Sequence, residues 1–151
     1  MRTLYFAHKW RRDDVDWGDR GVRGRLVGYI ATPERDIDLS YNYHGFYFLY
    51  YNDRIVYTSN SWKRYDSRYA CIYSILKDHT KRKKIAWNMF SFLVIKTQDG
   101  KFDAHDMLDF ASAILNLVKD DCWINTGTYK YYDIIELNQL PKKIRTFQAY
   151  T

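Results

Sequence analysis

Residues 45–61 read GFYFLYYNDRIVYTSNS and carry the clearest structural signal of the chain. Two aromatic or β-branched runs, at 45–51 and 55–58, flank a short polar segment at 52–54. Aromatic and β-branched residues favour strands, and two such runs around a turn of this length are typical of a β-hairpin. The sequence therefore predicts a hairpin here.

A helix of roughly four turns is predicted after this hairpin, with Ser61 as a candidate N-cap. Its apolar side chains recur at intervals of four and three residues, as one buried helix face requires. They are Tyr65, Tyr69, Ile72, Tyr73 and Leu76. A third strand is predicted at 89–95 and a second helix from Asp103 or His105 onward. The buried face of the second helix would be formed by Met107, Leu108, Ala111, Ile114, Leu115 and Val118.

Residues 1–44 are predicted to be an irregular N-terminal portion, with a basic loop at 17–25 and a short strand at 26–30. The order of hairpin, helix, strand, helix and tail predicts an α+β fold. In it, a small and mostly antiparallel sheet is covered by helices. The expected organisation is a basic N-terminal extension over 1–44, a module over 45–127 and a C-terminal strand or tail over 128–151.

The composition is that of one folded domain. The chain has 151 residues, of which 46% are apolar and 28% are charged, and this excludes collagen, disordered tails, disulfide scaffolds and coiled coils. Cys71 and Cys122 lack metal-binding spacing and favour buried thiols in a reducing compartment, with a disulfide or zinc ligation as the alternative. Because no long apolar run or signal-peptide stretch is present, we expect a cytoplasmic protein without a membrane partner.

The net charge of +6 favours an anionic partner, and DNA is the partner we expect. Basic residues next to tyrosines suit phosphate contacts beside stacked bases. The candidate nucleic-acid-binding residues are Arg20, Arg23, Arg25, Lys63, Lys81, Arg82, Lys83 and Lys84. The alternative for each cluster is a solvated basic face.

Residues 45–47, Gly-Phe-Tyr, and 56–61, Val-Tyr-Thr-Ser-Asn-Ser, resemble the paired signature of the GIY-YIG nuclease family. Tyr47 and Tyr57 stand where the two motifs have their tyrosines. The resemblance covers 45–127, a little over half of the chain. It implies a GIY-YIG-like fold and an endonuclease that hydrolyses DNA phosphodiester bonds with the help of Mg²⁺.

The resemblance also implies a role for each matching residue. Tyr47 or Tyr57 would orient or deprotonate the attacking water, and Arg68 or Arg64 would hold the scissile phosphate. The alternative for the tyrosines is a place in the core, and for Arg68 a surface ion pair.

Three further candidates complete this implied site. Asp109 stands where the family has a glutamate and would hold Mg²⁺, while Asn125 would steady the end of the site by hydrogen bonding. His79, near the end of the first helix, is a candidate auxiliary base or leaving-group acid.

Ser59 and Asp109 depart from the family pattern and motivate a second hypothesis. In it, the chain is a catalytically weakened module that binds nucleic acid or a protein partner, as an inhibitor would. A third reading is a basic structural domain of viral or mobile-element type without a site. Self-association through the C-terminal tail stays open.

Overall fold

The computed structural model describes residues 2–61, 71–82, 84–97, 127–129 and 132–141. Within these ranges, strand dominates and one α-helix is present. The strands are β1 (Arg2–Arg11), β2 (Asp16–Asp19), β3 (Val22–Arg25), β4 (Val27–Ala31), β5 (Glu34–Asp38), β6 (Tyr43–Tyr51), β7 (Arg54–Asn60), β8 (Met89–Lys96), β9 (Gly127–Tyr129), β10 (Tyr132–Glu136) and β11 (Asn138–Gln139). The helix is α1 (Ile72–Lys81).

The largest sheet has six strands in the order β7-β6-β8-β1-β10-β9. Strand β8 pairs antiparallel with both β6 and β1, and β1 pairs parallel with β10. This parallel pairing joins residues 2–6 to residues 132–136, so most of the chain lies in the connection between the two strands. Strand β1 is therefore an interior strand of the sheet that also contains the predicted hairpin.

The hairpin predicted at 45–58 is confirmed as β6 and β7. Asn52 and Asp53 connect the two strands with φ angles of 51° and 65°, the positive values that a tight two-residue hairpin turn requires. Gly45 allows β8 to approach, since a Cβ atom there would lie 1.9 Å from the carbonyl oxygen of Leu93. The glycine is therefore needed for the β6–β8 pairing.

Two smaller sheets and the helix pack on one face of the large sheet. One is β11-β4-β5 and the other is the β2–β3 hairpin. A single core cluster joins Tyr47 and Phe92 of the large sheet to Ile37 of β5 and to Ile72 and Leu76 of α1. This face of the large sheet positions the candidate site.

The predicted fold class is wrong. The described part of the chain is mostly strand in three sheets with one α-helix, not an α+β fold with a small sheet covered by helices. The predicted irregular portion 1–44 instead supplies β1 to β5, and the predicted basic loop at 17–25 forms the β2–β3 hairpin. Its turn residues, Arg20 and Gly21, have φ angles of 49° and 84°.

Two predicted strands are confirmed: 26–30 corresponds to β4 and 89–95 to β8. The predicted first helix corresponds in part to α1, which begins at Ile72 with Cys71 at the N-cap position. Residues 62–70, where the prediction began that helix, and the whole of the predicted second helix lie outside the described residues. The domain boundaries at 44 and 127 stay predictions.

Candidate functional site

A small pocket lies where the β6–β7 hairpin meets α1. It has a volume of about 130 Å³. Its lining, which we call the Tyr–His pocket, consists of Tyr47, Tyr57, Ser59, Asn60, Ile75, Asp78, His79 and Arg82. Strand residues thus form one wall and the last two turns of α1 the other.

The central contact of the Tyr–His pocket joins Tyr47 to His79. Tyr47 Oη and His79 Nε2 are 2.7 Å apart, which is hydrogen-bond distance. The Tyr47 side chain is only 2% exposed, so its ring belongs to the core while its hydroxyl reaches the helix. A phenol and an imidazole in direct contact can exchange a proton.

The sequence places His79 on the buried side of α1 through helical periodicity. Ile72, Ile75 and Leu76 are buried, and His79 follows them at spacings of seven, four and three residues. The backbone at this point is also held, because the indole N–H of Trp87 donates a hydrogen bond of 3.3 Å to the carbonyl oxygen of His79. The imidazole is therefore fixed against the hairpin.

Tyr57 completes a cluster of three rings. Its ring centroid lies 5.1 Å from that of His79 and 6.1 Å from that of Tyr47. The register pairs Tyr57 with Leu49 and Ser59 with Tyr47, so the side chains of these four residues lie on the same side of the hairpin. Tyr57 is 36% exposed and forms the solvent side of the Tyr–His pocket.

Charged and polar groups form the rest of the lining. The backbone N–H of Arg82 donates to the carbonyl oxygen of Asp78 at the end of α1, and both side chains line the pocket. Asn60 Oδ1 is buried and has no hydrogen-bond partner among the residues that the structure describes. The pocket therefore offers a cation and a carboxylate beside the Tyr–His contact.

No three His, Cys, Asp or Glu side chains converge on a possible metal position within the described ranges. Asp109, the predicted Mg²⁺ ligand, lies outside those ranges, as do Arg64, Arg68, Asn125, Lys63 and Lys83. Their predicted roles stay predictions.

The predicted DNA-binding arginines of the β2–β3 region differ in their surroundings. Arg23 lies over the rings of Tyr41 and Tyr73, at 4.2 and 4.7 Å, and it donates to the carbonyl oxygen of Ser40. Arg25 forms a 3.1 Å ion pair with Asp38. Burial raises the pKa of Asp38, but hydrogen bonds from Ser40 and Arg25 outweigh burial and leave that pKa below its usual value.

Arg20 sits exposed in the β2–β3 turn, and Lys81, Arg82 and Lys84 are exposed at the end of α1. Among the predicted basic residues that the structure describes, only Arg82 lines the Tyr–His pocket. Arg82 thus connects the cations at the end of α1 to the candidate site.

The structure brings together three of the predicted catalytic residues, Tyr47, Tyr57 and His79. The sequence analysis missed Asn60 and Asp78 as lining residues. The sequence does contain a signal for Asp78: it lies four residues before Arg82, a spacing that places two residues on the same side of a helix. Asn60 has no such signal, since its place depends on the hairpin register.

Comparisons with protein-family models, with curated proteins and with solved structures found no match to the chain. In the described ranges, no helix is both long enough and apolar enough to cross a membrane. The chemistry of the Tyr–His pocket is therefore the basis for a function.

Proposed function

We propose that the protein is a metal-dependent endonuclease that hydrolyses DNA phosphodiester bonds in the Tyr–His pocket. The observation that carries this proposal is the 2.7 Å contact between Tyr47 Oη and His79 Nε2 in a pocket also lined by Arg82. This is the activity that the GIY-YIG resemblance implies. The proposal does not depend on a GIY-YIG-like arrangement of helices around the sheet.

Hydrolysis of a phosphodiester needs a proton acceptor for the attacking water and a proton for the leaving oxygen. The Tyr47 phenol can pass its proton to His79 as it takes the proton of the water. The new P–O bond then forms while the bond to the leaving oxygen breaks. Return of the proton from the pair to the leaving oxygen restores the starting state. Tyr57, beside both groups, would orient the water.

Arg82 supplies the positive charge that the transition state requires. Negative charge develops on the phosphate oxygens during hydrolysis, and a fixed cation beside them lowers the barrier. The volume of about 130 Å³ is well below the roughly 300–1,000 Å³ of pockets that enclose a whole small ligand. The pocket therefore suits a phosphate group with a water, while the rest of the DNA lies outside it.

A single carboxylate in the pocket can suit Mg²⁺, which uses few protein ligands and keeps several of its waters. Asp78 would supply a carboxylate from the lining of the pocket. Bound there, Mg²⁺ would neutralise charge on the phosphate. Asp109 remains the ligand that the resemblance implies.

Nicking of supercoiled plasmid in the presence of Mg²⁺ tests this proposal. We expect nicking by the wild type, its loss in EDTA, and rates reduced about 100-fold or more in Tyr47→Phe, His79→Gln and Arg82→Gln. Tyr51→Phe on the same strand and Arg54→Gln in β7 are matched controls outside the pocket and should nick like the wild type. Intact plasmid with folded wild-type protein, or full activity in the three pocket variants, would overturn the proposal.

The second candidate is a DNA-binding module without catalysis. Arg82, one of three exposed cations at the end of α1, lines the same pocket as the partly exposed Tyr57, an arrangement that suits a phosphate contact beside a stacked base. DNA affinity without nicking, unchanged in Tyr47→Phe and His79→Gln, would favour it. If the protein does not bind DNA, the remaining hypothesis is that it binds another protein. The exposed side chains of Ile55 and Val56 on β7 would then contact that partner.

A further inference from the structure

A second groove, the inter-sheet groove, lies between the large sheet and the β11-β4-β5 sheet. It has a volume of about 410 Å³, in the range of pockets that hold a small organic ligand. Its main lining residues are Tyr5, Arg35, Ile37, Tyr43, Ile95 and Lys96. None of them lines the Tyr–His pocket.

The floor and walls of the groove are apolar and aromatic. Ile37 is buried, and the rings of Tyr5 and Tyr43 meet edge to face with centroids 6.0 Å apart. Tyr43 is 7% exposed, and burial raises its pKa to about 12, so its hydroxyl keeps its proton at neutral pH. A flat apolar ring can pack here beside a hydroxyl group that donates a hydrogen bond.

The rim of the groove is cationic. Arg35 comes from β5 of the small sheet and Lys96 from the end of β8 in the large sheet, so the two charges reach the groove from different sheets. Both residues are exposed, and neither forms an ion pair with any residue in the described ranges. Glu34 and Asp36 flank Arg35 in the chain but do not line the groove.

We infer that the inter-sheet groove binds a nucleoside monophosphate, with the base against Tyr5 and Tyr43 and the phosphate between Arg35 and Lys96. Two cations, with no carboxylate among the described lining residues, select an anion, and the adjoining aromatic wall selects a ring attached to it. The same chemistry is present in a free nucleotide and at the 5′-phosphorylated end of a strand. The inference does not rest on the proposed nuclease activity.

Titration of the full chain with AMP, followed by calorimetry, tests this inference. Adenosine and inorganic phosphate each supply one half of the ligand, and we expect each to bind at least 10-fold more weakly than AMP. The double variant Arg35→Gln/Lys96→Gln should weaken AMP binding at least 10-fold. The double variant Arg54→Gln/Lys84→Gln removes the same charge elsewhere and should bind AMP like the wild type.

Two further measurements test which pocket binds AMP and whether the natural ligand is a free nucleotide or a strand end. His79→Gln lies in the other pocket and should leave AMP binding unchanged, so loss of binding in that variant would overturn the inference. A short 5′-phosphorylated single strand that competes with AMP would identify a strand end as the source, whereas no competition would identify the free nucleotide. Equal binding of AMP, adenosine and phosphate, or wild-type affinity in a folded Arg35→Gln/Lys96→Gln variant, would also overturn it.

Discussion

The Tyr47–His79 contact depends on two separate periodicities that meet at one point. Alternation along β6 directs Tyr47 to the core face, and the spacing of four residues from Ile75 turns His79 to the same face from α1. Each side chain could be singled out from the sequence. Their distance of 2.7 Å could not, because it depends on how α1 packs against the hairpin.

Tyr43 makes stability sensitive to alkaline pH. Its pKa of about 12 in the folded protein exceeds the usual value of 10.0, so the folded state holds this proton more tightly than the unfolded state. The resulting stability is complete below about pH 10 and is lost as the pH rises from there through 12. Between pH 8 and pH 11 the loss should be about 1.4 kcal/mol.

Urea unfolding of the wild type and of Tyr43→Phe across that pH range measures this loss. The variant lacks the titrating phenol, so its unfolding free energy should gain on that of the wild type by about this amount as the pH rises. Tyr51→Phe, which removes an exposed phenol from the same strand, should follow the wild type. Parallel curves for the wild type and Tyr43→Phe would contradict the prediction.

At the scale of elements, Tyr73 joins α1 to the β2–β3 hairpin. Its hydroxyl accepts a hydrogen bond from the Gly24 N–H at 2.9 Å and donates one to the Trp17 carbonyl oxygen at 3.0 Å. The Tyr73 ring also stacks on that of Trp17, with centroids 5.9 Å apart. One side chain thus fixes a two-stranded sheet against the helix.

Replacing Tyr73 with Phe tests this connection. The change keeps the stacked ring but leaves the Gly24 N–H and the Trp17 carbonyl oxygen without their partner, so we expect a loss of about 1–3 kcal/mol of unfolding free energy. Denaturant unfolding measures it, with Tyr51→Phe as the control for loss of a phenol hydroxyl in an exposed position. A loss below about 0.5 kcal/mol would show that the hairpin is held by the ring contacts alone.

An element could be predicted when the residues that determine it lie close together in the sequence. The β6–β7 hairpin was predictable because its turn residues and both strands lie within 17 consecutive residues, 45–61. Strand β1 was not, because its residues 4–7 are a continuous apolar run without alternation and an irregularity between Ala7 and Trp10 shifts its register. At that irregularity Lys9 has a φ angle of 48°, which the pattern of residue types does not predict.

At the scale of the whole molecule, the sheet order depends on pairings between distant parts of the chain. Leu4 of β1 pairs with Ile134 of β10 and with Ile95 of β8. Nothing in the composition of these strands specifies their partners, since apolar strands of similar length can pair in many orders. The six-stranded sheet therefore could not be predicted, although its strands β6, β7 and β8 were.

The net charge of +6 leads to a prediction about DNA affinity that concerns the whole surface. Binding should weaken with salt, with a slope of log affinity against log salt of about −0.9 for each phosphate neutralised on duplex DNA. If the end of α1 is the contact surface, Lys81→Gln/Arg82→Gln should make the slope shallower by about 2. Fluorescence anisotropy with a labelled duplex at several salt concentrations measures both slopes.

The salt dependence of DNA binding should depend more on the position of the removed charges than on their number. Arg35→Gln/Lys96→Gln removes the same two charges from the inter-sheet groove, whose lining shares no residue with the Tyr–His pocket. Its salt slope should stay close to that of the wild type, because counterions are released only where phosphates are contacted. Equal changes of slope in the two double variants would mean that DNA senses the overall charge and not the cations at the end of α1.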